Sequence, residues 1–212
     1  MKILLNLIMV GSLFAFQVQI PEASGICEKN GKFYVANDEG KIYIVKNNQI
    51  IQKVKFKGYD FEGIHCGNKY LFLAVENKSE ILKLDYKFHI QKKIKLKIKN
   101  YSKAKGIEGI AKQKDKFYIS IQNKRSIFVF DKKGNLIDKL KVEIKDISGV
   151  DIKGNILYFV SDKNDKLYFY DLKLKKLIKT INLPKVATEG IVKTKTGFYL
   201  ANDDGDIRKL YH

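Results

Sequence analysis

The sequence predicts an all-β protein: a five-bladed β-propeller of four-stranded antiparallel blades, whose last blade is closed by an N-terminal strand. Two observations predict the repeat. The two ends of the chain predict that the last blade is completed by an N-terminal strand. A short motif returns five times, with steps of 38, 46, 40 and 41 residues between its glycines. Four short apolar runs separated by turn residues follow each return. Four strands about every forty residues are typical of a propeller blade.

The repeat-opening motif joins glutamate or serine to glycine and an aliphatic residue. Its copies are Ser24-Gly25-Ile26, Glu62-Gly63-Ile64, Glu108-Gly109-Ile110, Ser148-Gly149-Val150 and Glu189-Gly190-Ile191. The aromatic-rich run after each copy is apolar on both faces, which predicts a strand buried between two blades. Because the step from Gly63 to Gly109 is long, six blades stay open as an alternative to five.

The last run of each repeat alternates lysine with aliphatic residues, as in Lys93–Lys99 and Lys139–Lys145. Period-two alternation predicts an outer strand with one solvated face. These strands account for much of the net charge of +18. A nucleic-acid surface is the alternative, but Arg125 and Arg208 are the only arginines and base recognition commonly uses arginine. We therefore expect no nucleic-acid partner.

The amino-terminal residues predict an export signal. Met1-Lys2 precedes an apolar stretch, Ile3–Phe16, which is short for a membrane span and suits a signal peptide cleaved after Ala15. This divides the chain into a signal peptide, 1–15, and a single propeller domain, 16–212. We expect a secreted or periplasmic monomer with no membrane span after cleavage. An uncleaved anchor and a buried first strand are the alternatives.

The start of the predicted mature chain resembles the last strand of a repeat, because residues 16–20 lead into Ser24-Gly25 as residues 179–183 lead into Glu189-Gly190. The carboxyl end supplies only three strands after Gly190. Pairing residues 16–20 with the last blade would close the ring and leave no free edge there.

Two sets of polar side chains are predicted to meet at one mouth of the central channel, where each inner strand starts and each second strand ends. The opening positions carry Ser24, Glu62, Glu108, Ser148 and Glu189, and the turns after the second strands carry Asp38, Glu76, Gln122, Asp162 and Asp203. Seven carboxylates in one mouth would attract a cation, an amine or a basic protein segment. Such oxygen ligands suit Ca²⁺, with Glu62, Glu108 and Glu189 as candidate metal ligands.

A structural interpretation of the same residues stays open. Glutamates at strand starts can accept backbone N–H bonds and lock adjacent blades together. Aspartate at a hairpin turn often bonds its own backbone. No catalytic motif is found, and His65 is predicted to be a packed or channel-facing side chain rather than a general base. We predict no catalytic residue.

The two cysteines follow their repeat glycines at different distances. Cys27 lies two residues after Gly25, and Cys66 lies three residues after Gly63. Their strand phases differ, so their side chains should point to opposite faces. This favours two inert buried thiols over a Cys27–Cys66 disulfide, which is the alternative.

The glycine-led motif, the aromatic run and the Asn-Asp turns at Asn37-Asp38 and Asn202-Asp203 together resemble the SdiA-regulated family, a group of bacterial envelope propellers. The resemblance extends from about Ile20 to Tyr211 and is shared in part with the NHL group. It implies a propeller in an envelope setting, with no assigned reaction. The Glu-Gly pairs at Glu62, Glu108 and Glu189 are also similar, more distantly, to calcium-dependent lactonases of the gluconolactonase type.

Together these features predict a binding module rather than an enzyme. Its acidic mouth would take a cation, a basic ligand or a segment of an envelope protein. The alternative is a Ca²⁺-dependent lactonase or esterase, in which a glutamate-bound metal polarises a carbonyl.

Overall fold

The structure, a computed structural model, describes residues 14–98 and 106–210. These residues form twenty β-strands and one short 3₁₀ helix, Glu76–Lys78. The strands assemble into five four-stranded antiparallel sheets. The predicted five-bladed propeller is confirmed, and the alternative of six blades is excluded.

We number the strands in chain order and describe each blade from its innermost strand outward. Blade 1 contains β2 (Ala23–Lys29), β3 (Lys32–Asn37), β4 (Lys41–Lys46) and β5 (Gln49–Lys55). Blade 2 contains β6 (Phe61–Cys66), β7 (Tyr70–Val75), β8 (Glu80–Asp85) and β9 (Ile90–Lys95). Blade 3 contains β10 (Ile107–Gln113), β11 (Lys116–Ile121), β12 (Ser126–Asp131) and β13 (Leu136–Lys141). Blade 4 contains β14 (Ile147–Lys153), β15 (Ile156–Ser161), β16 (Lys166–Asp171) and β17 (Lys176–Asn182). Blade 5 contains β18 (Thr188–Thr194), β19 (Gly197–Asn202), β20 (Asp206–Leu210) and, as its outer strand, β1 (Phe14–Gln19).

The ring closes through its two chain ends, as predicted. Strand β1 pairs antiparallel with β20, with Phe16 opposite Ile207. It begins at Phe14, two residues before the predicted mature start at residue 16. The rest of the predicted signal peptide, residues 1–13, lies outside the described residues. Within the described ranges, no helix is long and apolar enough to cross a membrane.

The repeat glycines bring the five inner strands into contact around the axis. A Cβ added to Gly25 would lie 2.7 Å from the Cα of Gly63, and one added to Gly190 would lie 2.9 Å from the Cα of Gly25. Real Cβ atoms do not approach a backbone so closely. Glycine is therefore needed at these positions because each inner strand touches the next, and the fifth touches the first.

Apolar residues form five buried clusters, one between each pair of adjacent blades. Between blades 2 and 3, the rings of Phe72 and Phe117 lie 5.3 Å apart. The outer strands join these cores with one face, since Ile94 and Leu140 are buried while the lysines beside them are exposed. This confirms the solvated face predicted for the lysine-rich strands.

The prediction of two unpaired cysteines is wrong. Cys27 and Cys66 form a disulfide, with their Cα atoms 5.5 Å apart. Their different strand phases are the reason it forms, because adjacent blades present opposite faces to each other. Cys27 points from blade 1 toward blade 2, and Cys66 points back from blade 2 toward blade 1. Different strand phases would keep the two side chains apart only if both residues lay in one sheet.

The propeller has two poles. Each inner strand starts, and each second strand ends, at the mouth pole. The connections from first to second strand and from third to outer strand lie at the opposite end, which we call the base pole. Because all five blades repeat this path, equivalent residues of different blades lie at one height along the axis.

Candidate functional site

A β-bulge opens every blade at the mouth pole and aims one side chain into the channel. The pairing register between the two innermost strands shifts between Ala23 and Gly25, and at the equivalent place in the other four blades. Bulges of this kind re-aim side chains beside functional sites. The residues inside the five shifts are the predicted opening positions, Ser24, Glu62, Glu108, Ser148 and Glu189.

These side chains meet the turn residues in one cavity of about 550 Å³. All nine residues predicted for the mouth line it: Ser24, Asp38, Glu62, Glu76, Glu108, Ser148, Asp162, Glu189 and Asp203. Gln122, Asn123, Asp146, Ile147 and Lys163 complete the lining. Among the described residues that line the cavity, Lys163 is the only cation. Its Nζ lies 3.3 Å from the carboxylate of Asp146. The cavity therefore carries eight carboxyl groups in a protein of net charge +18.

Crowding and burial oppose ionisation of the glutamates. Burial, with Glu108 and other nearby carboxylates adding to it, raises the pKa of Glu62 to about 10. The pKa of Glu108 rises to about 8 and that of Glu189 to about 7, again mainly through burial. Burial also raises the pKa values of the turn residues Asp38, Glu76 and Asp162. Without a cation, the folded protein holds protons on this cluster at pH values where free carboxyl groups have lost theirs.

Three carboxylates in blade 2 are grouped closely enough to hold one metal ion. One oxygen from each of Asp60, Glu62 and Glu76 lies within 4.8 Å of the others. Oδ1 of Asp60 is buried and has no hydrogen-bond partner, although Glu62 and Glu76 donate to the Asp60 carboxylate when they hold protons. A buried acceptor without a donor costs free energy, and a cation at this place would satisfy it. The donor set consists of oxygen only, which suits Ca²⁺.

Gly106, in blade 3, leaves room for the carboxylate of Glu76 because it has no side chain. A Cβ at Gly106 would overlap Cγ of Glu76. The Gly106 N–H also donates a hydrogen bond to that carboxylate. The backbone of Glu76 is fixed separately, since its N–H donates to the carbonyl of Asp60 over 3.1 Å. The blade 2 carboxylates are thus positioned by both blades.

The sequence-predicted metal set overlaps this triad only at Glu62. Glu108 and Glu189 line the same cavity but do not join the close group. The two serines of the opening positions serve a different purpose. The Ser148 hydroxyl donates to the carbonyl of Thr188 over 2.6 Å, and the Ser24 hydroxyl donates to that of Phe61. The blade-locking interpretation therefore describes the serines.

No such lock is found at the glutamates. Across residues 14–98 and 106–210, burial and neighbouring carboxylates shift the pKa values of Glu62, Glu108 and Glu189, and no backbone hydrogen bond contributes. Their charge is instead directed into the cavity, where it meets other carboxylates. The blade-locking interpretation therefore does not explain why three of the five opening positions are acidic.

Asp60 and Asp146 also belong to the site, although neither is among the residues predicted from the sequence. Both stand three residues before a repeat glycine, and so does Glu22, which contacts Asp203 at the rim of the mouth. A comparison of this third position across the repeats would have found them. His65 lies away from the mouth, half-buried between blades 2 and 3, where burial lowers its pKa to about 3. This agrees with a packed side chain.

No protein-family model and no curated protein matches the chain. Solved structures match in fold. The glutaminyl cyclase of Myxococcus xanthus is 10% identical, with a TM-score of 0.75 over 95% of this chain and 96% of that one. The virginiamycin B lyase of Staphylococcus aureus is 18% identical, with a TM-score of 0.57 over 89% of this chain and 65% of the lyase. The WD40 propeller domain of Doa1 is 11% identical, with a TM-score of 0.60 over 88% and 62% of the two chains.

At these identities the likeness shows the propeller fold alone. The chain spans less than two thirds of the length of the lyase and of the WD40 domain. The neighbours include enzymes as well as a WD40 domain, so the shared shape does not decide between catalysis and binding. The chain is a β-propeller, and its resemblance to the SdiA-regulated family stays a prediction.

Proposed function

We propose that this protein is an exported binding module that takes a divalent cation, Ca²⁺ in the first instance, in its acidic mouth. One observation carries the proposal: eight carboxyl groups and a single lysine converge on one cavity of a strongly basic protein. Repulsion between like charges makes such a cluster unfavourable unless its members hold protons or a cation is bound. A basic ligand or a basic segment of an envelope protein would compete with the cation for the same carboxylates.

The residues of the triad fit the ion. Asp60, Glu62 and Glu76 supply carboxylate oxygens within 4.8 Å of one another, and the buried Oδ1 of Asp60 has no other partner. Glu108 and Glu189 line the same cavity, where they would add to the negative potential without joining the close group. Because the raised pKa values leave protons on these glutamates, binding of a cation would release protons.

The disulfide supports an exported location. Disulfides form and persist in oxidising compartments and are rare in the cytosol. Cys27 and Cys66 join blades 1 and 2 across a sequence separation of 39 residues. Export also agrees with the signal peptide predicted for residues 1–15.

Thermal unfolding with and without Ca²⁺ tests the proposal. The melting temperature should rise between excess chelator and millimolar Ca²⁺, because an ion that binds only the folded state stabilises it by mass action. Glu62→Gln should abolish the rise, and Glu108→Gln should reduce it. Asp115→Asn is the matched control, because Asp115 is an exposed carboxylate at the base pole. A rise that is equal in all four proteins would sink the assignment of the site to the mouth.

A second candidate is the Ca²⁺-dependent lactonase or esterase. The observation that favours it is the pair Glu108 and Glu189, whose pKa values of about 8 and 7 lie close to neutrality, as general acid–base work requires. A bound cation would polarise a substrate carbonyl. Hydrolysis of a panel of lactones and aryl esters, lost in Glu189→Gln while Ca²⁺ binding is retained, would establish this activity. If none of these compounds is hydrolysed, the hydrolase proposal fails and the binding module remains.

A further inference from the structure

The base pole carries exposed aliphatic side chains at equivalent positions of different blades. In blades 1 to 4 the pairing between the third and the outer strand shifts register at the same place. In three of these blades the extra residue is isoleucine: Ile51, Ile137 and Ile178. Their exposed fractions are 51%, 49% and 47%. Bulges are features that redirect side chains, and here they turn large aliphatic groups toward solvent.

Exposed lysines lie at the same pole, where the third strand connects to the outer strand. In blades 2, 3 and 4 these are Lys87, Lys132, Lys133, Lys173, Lys175 and the first residue of β17, Lys176. Each loop begins with an aspartate, but its carboxylate is turned inward. Asp131, for example, accepts the backbone N–H groups of Lys133 and Asn135 over 2.8 and 2.9 Å.

Asp85 and Asp171 accept loop N–H groups in the same way. The acidic residue of each loop therefore shapes the turn, and these lysines are exposed. Of these six described lysines, Lys132 is the one that has an ion pair, since its Nζ lies 3.2 Å from the exposed carboxylate of Asp115. We call the three bulged isoleucines and these six lysines the base rim.

We propose that the base rim docks this protein on an anionic lipid bilayer. Equivalent positions of a ring lie in one plane, and a plane of aliphatic side chains interleaved with lysines fits a flat, negatively charged surface. Lysine near such a surface is attracted to anionic headgroups, and aliphatic side chains enter the boundary between headgroups and acyl chains. Single exposed apolar residues are ordinary, but the same exposure at one height in three blades is a pattern.

The position of the first strand supports this orientation. Strand β1 starts at Phe14, opposite Lys209 and close to the end of β20, which is at the base pole. The described part of the outer strand of blade 5 therefore starts at the same pole as the base rim. Docking at this pole leaves the acidic mouth facing away from the bilayer, where its own carboxylates are not repelled by the lipid.

Co-flotation of the full chain with vesicles tests the proposal. The vesicles contain either phosphatidylcholine alone or phosphatidylcholine with 30% phosphatidylglycerol. Two variants alter the rim: Ile51→Ser/Ile137→Ser/Ile178→Ser and Lys132→Glu/Lys133→Glu. The control is Lys55→Glu/Lys57→Glu, which makes the same change in charge at exposed lysines near the mouth end of an outer strand. Residues 1–13 are identical in all four proteins, so a difference in binding between two of them comes from the substituted residues.

We expect binding to the anionic vesicles to fall at least tenfold in both rim variants and by no more than about twofold in the control. At about 1 kcal/mol for each lysine near the surface, loss of two lysines alone predicts about a thirtyfold decrease. Equal binding to neutral vesicles, or rim variants that bind like the wild type, would overturn the proposal.

A self-association site would overturn it too. That outcome would appear in light scattering as a wild-type dimer that the isoleucine variant dissolves, with no vesicle binding by any of the proteins. The lysine variant keeps the test decisive if the isoleucine variant fails to fold, since Lys132 and Lys133 are fully on the surface.

Discussion

Glu62→Gln should make the stability of the propeller less sensitive to pH. In the folded protein the pKa of Glu62 is about 10, against an ordinary value of 4.5. Between pH 5 and pH 8 the unfolded carboxyl group is therefore ionised while the folded one keeps its proton. The unfolded state binds fewer protons, so the free energy of unfolding falls as the pH rises. Glutamine does not ionise and removes this contribution.

The size of the effect follows from the pH interval. A single fully shifted group changes stability by about 1.4 kcal/mol for each pH unit, or about 4 kcal/mol over three units. Glu62 is half-buried and water enters the open mouth, so screening reduces this figure. We expect a difference of about 1 to 2 kcal/mol between wild type and variant. For a chain of this length that corresponds to about 3 to 6 °C in melting temperature.

The assay is thermal unfolding followed by circular dichroism at pH 5.0, 6.5 and 8.0, with chelator present throughout. The wild type should lose stability toward pH 8, and Glu62→Gln should lose less. Asp115→Asn, at the exposed base pole, should follow the wild type. Parallel curves for wild type and Glu62→Gln would refute the argument that burial and crowding hold a proton on this glutamate.

Three further predictions concern the site and the fold. Gly106→Ala should displace the Glu76 carboxylate and weaken Ca²⁺ binding in a calorimetric titration by tenfold or more, with the circular dichroism spectrum unchanged; unaltered affinity would contradict the placement of Glu76. Gly25→Ala should lower the free energy of unfolding in urea by about 1 to 3 kcal/mol or more, because its Cβ meets the next inner strand; a neutral effect would disprove the close approach. Reduction of Cys27–Cys66, or Cys27→Ser, should cost about 3 to 4 kcal/mol, since the bridge closes a loop of 39 residues; an unchanged urea midpoint would exclude the bridge.

Much of the fold could be predicted from the sequence, because each residue type that recurs in the repeat has a physical reason to recur there. Gly25 and its equivalents recur where inner strands touch, and aromatic runs recur where strands are buried on both faces. The closure by residues 16–20 followed from counting strands at both ends. The disulfide was missed because strand phase was compared as if Cys27 and Cys66 shared one sheet, whereas they face each other from two blades.

The site was predicted in outline and missed in detail. The repeat places Glu62 and Asp38 at one end of the channel, so their convergence could be predicted from spacing alone. The choice of carboxylates that can bind one ion depends on distances between their oxygen atoms. Spacing along the sequence does not give these distances. One carboxylate oxygen of Asp60 comes within 4.8 Å of those of Glu62 and Glu76, and Glu76 reaches them because Gly106 leaves room for it.

Calorimetric titration of Ca²⁺ at pH 7, in two buffers with different enthalpies of ionisation, tests the central claim most directly. The account predicts one site in the wild type, release of protons on binding, and a loss of affinity of at least tenfold in Asp60→Asn. Asp115→Asn should bind like the wild type. Absence of binding at millimolar Ca²⁺, or equal affinity in Asp60→Asn and Asp115→Asn, would contradict the assignment of the acidic mouth as a cation site.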